Sequence, residues 1–156
     1  MSKNRNSEFN YILEKYKREK GVSEINMLDL ARFALDNGWN PPEPITATER
    51  LAKKFSRMAR EETKQDKETG ESYRVYHAVY DSIGQGVFWI DIDEAPRAHM
   101  HKSVYSRREQ VVGDLYQLTL DVDHWNRINP NEEPLRVETD ITPDIEEKRA
   151  ISTLNR

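Results

Sequence analysis

The chain has no cysteine among its 156 residues, which removes disulfides, thiolate metal sites and a cysteine nucleophile at once. It also has no apolar run near the ~20 residues of a membrane span, and its polar start, MSKNRNSEFN, carries no signal-peptide core. A cytoplasmic or similarly reducing location is the expectation. Nor is there an overall excess of positive charge. The net charge of −4 argues against a protein that coats nucleic acid indiscriminately. Glycine is scarce, and there is neither a Gly-rich phosphate loop nor a nucleophile elbow.

What positive charge there is lies towards the front. Residues 1–64 hold 13 Lys+Arg against 10 Asp+Glu, whereas residues 75–156 hold 9 against 15. The basic groups gather in TATERLAKKFSRMAREETK, residues 46–64. At about 100° per residue, Leu51, Ala52, Phe55, Met58 and Ala59 share one arc, and Arg50, Lys53, Lys54, Arg57, Arg60 and Lys64 share the opposite one. Thr46 and Glu49 have the spacing of a capping box, which gives this helix a start. A helix apolar behind and basic in front can be anchored on one side while the other meets phosphate, so this arc is the candidate DNA-binding face. A solvated surface helix would share the pattern.

Two helices precede it. Phe9, Ile12, Leu13 and Tyr16 form a stripe that Gly21 closes. Ile25, Leu28, Ala31 and Leu35 recur at helical spacing, with Ser23 or Asn26 available as cap and Gly38 as the stop. Pro41, Pro42 and Pro44 then hold off the basic helix. After it, QDKETGES reads as a polar turn. YRVYHAVYD and VFWIDID around SIGQG read as a β-hairpin. Its aromatic residues (Tyr73, Tyr76, Tyr80, Phe88, Trp89) suit cross-strand packing. From Ala95, the positions Val104, Val111, Leu115, Leu118, Val122 and Trp125 fall close to a 3.5-residue period, giving a helix of up to ~30 residues with a coiled-coil-like seam. Asn129-Pro130 ends it, and three acidic clusters fill a tail expected to be mobile or to dock only on binding.

Three helices, the third basic, followed by a β-hairpin resemble the winged helix-turn-helix of bacterial regulators, and the long helix resembles the dimerisation helix of the PadR-like group. The resemblance is one of organisation and covers residues 7–93. It implies a mostly helical α+β fold with residues 1–93 as the winged helix, 94–128 as a dimerisation helix and 129–156 as the tail. It further implies double-stranded DNA as partner, with the third helix in the major groove and the hairpin on the flanking backbone. Arg74 and Gln85 are the wing residues able to reach DNA, since the tip lacks Lys and Arg while Asp81, Asp91 and Asp93 would repel phosphate. Val104, Val111, Leu115, Leu118 and Val122 would form a homodimer interface, the alternative being packing of this seam against the first helix.

No metal or other cofactor is expected. His99 and His101 lie about 200° apart on a helix and cannot share an ion. Asp91, Asp93 and Glu94 adjoin a strand end, where nucleases hold magnesium, but they match the polar side of a half-exposed strand, and no enzyme activity is expected. The alternative to DNA binding is a winged-helix module that binds another protein as an accessory subunit, through the long helix or the tail.

Overall fold

The computed structural model describes residues 2–80 and 86–154, with side chains from residue 6 onward. The chain is α+β and mostly helical, in two compact units, Met1–Ala47 and Thr48–Arg156. No helix among the described residues is long and apolar enough to cross a membrane.

The first unit is a pair of helices, α1 (Ser2–Lys20) and α2 (Met27–Asp36). Gly21 ends α1 at φ +66°, where its N–H reaches the Lys17 carbonyl at 2.8 Å. Asn26 caps α2. Its Oδ1 accepts from the Leu28 and Asp29 N–H groups at 2.9 and 3.3 Å. Asn26→Ala should therefore cost about 1 kcal/mol, measured as a lower urea midpoint with the slope unchanged. With Asn26 as cap, Ile25 precedes the helix. The buried row is Leu30 and Ala34, while Leu28 and Leu35 face solvent. The expected apolar face of α2 is thus corrected by part of a turn. Ile12 and Tyr16 bury the facing side of α1, and the Tyr16 ring meets Phe33 edge-on at 5.3 Å. Beside this core, an apolar groove of about 300 Å³ runs along Phe9, Leu30 and Ala34 to Trp39, Pro41 and Pro42.

The second unit begins with α3 (Ala47–Glu61), followed by the strands β1 (Thr63–Gln65), β2 (Ser72–Arg74), β3 (Tyr76–Tyr80) and β4 (Val87–Asp91). β1 pairs with β2 and β3 with β4, both antiparallel. The β1–β2 hairpin occupies the stretch expected to be only a turn. Asp66 organises it: its side chain accepts from the Glu68 and Thr69 N–H groups, and its carbonyl accepts from Gly70, which lies at φ +68°. Segment 73–81, expected as one strand, changes partner at Val75, and its last residue lies outside the described residues. The Val75 N–H donates to the Glu62 carbonyl on the β1 side, and its carbonyl accepts from Ile92 N–H on the β4 side. Val75 is 1% exposed and is the buried apolar residue of this unit among the described residues.

The helix α4 (Arg97–Ile128) is unbroken, and its first turns pack on β3. The row that faces β3 runs His99, Ser103, Arg107, Gln110 at helical spacing, and Ser103 is 2% exposed. The proposed seam lies on a neighbouring row. Val104, Val111 and Leu118 are exposed, and Leu115 and Val122 half-buried. The tail is not featureless. Asn126 clamps Leu135 with two backbone hydrogen bonds of 2.8 and 2.9 Å, and Leu135 and Val137 line a shallow groove with Val122. A helix, α5 (Thr142–Leu154), follows, with the Asp140 carboxylate accepting from Thr142 N–H at 3.0 Å.

Candidate nucleic-acid interface

Arg50, Lys53, Lys54, Arg57 and Arg60 all lie on α3, and all are exposed. Their exposure leaves the charged ends of the basic face in contact with solvent. Two expectations are corrected here. Lys64 is not on the helix, which ends at Glu61. It stands on β1 with its ammonium 3.6 Å from Asp91 and 3.9 Å from Asp93. Asp91 holds that ammonium above the ordinary lysine value. The apolar arc, expected to be anchored, is open. Leu51, Phe55 and Met58 are each about half exposed, and no residue of α3 is buried.

The carboxylates weighed as magnesium ligands are engaged otherwise. Asp91 and Asp93 share Lys64, the Tyr73 hydroxyl donates to Asp93 at 3.4 Å, and Asp91 accepts from the Asp93 N–H at 2.9 Å. Among the described residues, no group of three or more His, Asp and Glu side chains could hold a metal ion. His101 stacks on Tyr105, and His99 donates from Nε2 to the His77 carbonyl at 3.2 Å.

Arg74 stands on β2, while Gln85 lies outside the described residues. Arg74 is not isolated. It lines a cleft of about 230 Å³ with Arg60 from α3 and Arg107 from α4. Arg60 lies over the Trp89 ring at 5.5 Å. Burial first, then the charge of Arg74, pulls the Arg107 guanidinium below its ordinary value. The sequence hid this site because its three arginines come from positions 60, 74 and 107, and only the strand switch at Val75 and the packing of α4 on β3 unite them.

The cleft floor is His77 and Ser103, both buried. The Arg74 carbonyl, 3.1 Å from His77 Nε2, can only accept, so Nε2 carries the proton. In the neutral ring Nδ1 then accepts from the Ser103 hydroxyl at 3.4 Å. Burial pulls His77 below the usual histidine value, and the charges of Arg107, Arg74 and His99 act in the same direction against the Arg74 carbonyl bond. The folded state therefore binds this proton less readily than the unfolded chain. Stability should be fully present above pH ~6.5 and fall as the pH drops below it. Thermal melts at pH 7.5 and 5.5 check this, and in His77→Gln the part of the difference due to His77 should vanish.

Comparison with family models, curated proteins and solved structures finds no match. The functional reading therefore rests on the geometry.

Proposed function

We propose that the chain is a small regulator that binds double-stranded DNA through α3, in a winged-helix arrangement, and pairs with a second copy through α4. The observation that carries this reading is the row of five exposed cationic side chains on one face of α3. Such a row matches phosphate spacing, and its arginines can reach guanine edges. The β3–β4 hairpin supplies the wing, and Lys64 offsets the acidic groups at its base. The β1–β2 hairpin is an insertion between recognition helix and wing. The exposed seam on α4 supports pairing, with Val122 partly covered by its own tail.

Fluorescence anisotropy of random duplexes at two salt concentrations tests the reading. Binding should weaken steeply as salt rises, because each phosphate contact releases counterions. No binding at low salt overturns it. A second reading, an accessory subunit that binds protein, is favoured by the exposed Leu51, Phe55 and Met58. That negative result moves the assignment there.

A further inference from the structure

We propose that the cleft bounded by Arg60, Arg74 and Arg107 binds a phosphate monoester of a flat aromatic molecule, of the nucleoside monophosphate kind. This site stands apart from the DNA-binding reading, since two of its three cations lie outside α3.

Three guanidiniums border one cleft. Arg74 and Arg107 repel each other there, so the arrangement costs energy until an anion arrives. Guanidiniums bind phosphate in paired hydrogen bonds, and a dianionic monoester can engage more than one fork. Ser106 and Gln110 line the cleft and add neutral polar groups of the kind a phosphate oxygen accepts from. The Ser103 hydroxyl and the His77 Nε2–H, by contrast, already donate to His77 Nδ1 and the Arg74 carbonyl. Tyr76, Tyr80 and Trp89 add aromatic side chains to the lining beside Ala78 and Val87, and a planar group can stack among them where Arg60 now lies over Trp89. A free monoester fits this cleft better than a duplex does. Its floor is buried, and the phosphate of a continuous backbone is flanked by sugar on both sides.

The ligand would also draw on Arg60, the last cation of the α3 face. Occupancy of the cleft would thereby remove one charge from that face, which couples small-molecule binding to any anion bound along α3.

Isothermal titration of the full chain with a 5′-nucleoside monophosphate, the matching nucleoside and inorganic phosphate tests the proposal. The monophosphate should bind more tightly than inorganic phosphate, and the nucleoside alone should bind weakest. Arg107→Gln should lower monophosphate affinity about tenfold or more, the worth of one charged hydrogen-bond pair. Arg108→Gln should leave it unchanged, because Arg108 lies off the cleft and pairs with Glu109 at 2.8 Å. Circular dichroism confirms that both variants keep their helices. Lys53→Glu with Arg57→Glu should retain monophosphate binding, which separates this site from the DNA face. The proposal is overturned if the monophosphate produces no binding heat, if Arg107→Gln binds it as the parent does, or if the nucleoside binds equally well.

Discussion

Lys53→Glu combined with Arg57→Glu should lower affinity for duplex DNA by about 100-fold near 0.1 M salt and flatten its salt dependence by about two contacts. The two side chains sit one turn apart on α3 and are exposed, so the fold loses no buried contact when they change. Each cation lost removes one counterion-release step, and each glutamate gained adds repulsion. The expected signature is a shift in both affinity and slope, with the circular dichroism spectrum unchanged. An unaltered slope would show that phosphate is met elsewhere on the chain.

A second large effect is expected in the helical pair. Ile12 is 2% exposed, and the buried apolar partners around it are few: Tyr16, Leu30 and Ala34. Ile12→Ala should cost about 3 kcal/mol through lost burial and the cavity left behind. A pair of helices with so small a core has little reserve, so its helical signal should melt well below that of the parent. Leu28→Ala provides the contrast. Leu28 is 60% exposed, and its truncation should cost less than about 0.5 kcal/mol. Equal costs would show that the buried row of α2 is not Leu30 and Ala34. Urea unfolding followed at 222 nm reads both variants.

That contrast also marks what the sequence discloses. Helix positions follow from local signals, and those signals are plain here: Gly21 and Asn129 at two ends, Asn26 at one start, prolines where helix must pause. Which side of α2 is buried is less plain, because apolar residues stand on more than one side of it: Leu28 and Leu35 have helical spacing, yet Leu30 and Ala34 are the residues that meet α1. Strand β1 is harder still. Thr63-Lys64-Gln65 has no apolar alternation, and it forms because Asp66 and Gly70 turn the chain back onto β2. The helix α5 was obscured by the acidic clusters around it.

The site divides in the same way. Five of the six cations assigned to the basic helix lie on it, because helical periodicity is local. Lys64 was misplaced by extending that periodicity past Glu61. Arg107 gives no signal of its own in the sequence, since it stands in the polar run 106–110 between the seam positions Val104 and Val111. Ser103 gave no apolar signal either, although it is the small residue that lets α4 sit close on β3.

The stacking of Arg60 on Trp89 has an optical consequence. Indole emission responds to a charge held against the ring, so any anion that draws Arg60 away alters the intensity and wavelength of Trp89 fluorescence. Trp39 and Trp125 do not line the cleft, and their replacement by phenylalanine would leave Trp89 as a single intrinsic reporter of cleft occupancy. The protein thus carries its own probe, and titrations can be followed in it without attaching a dye.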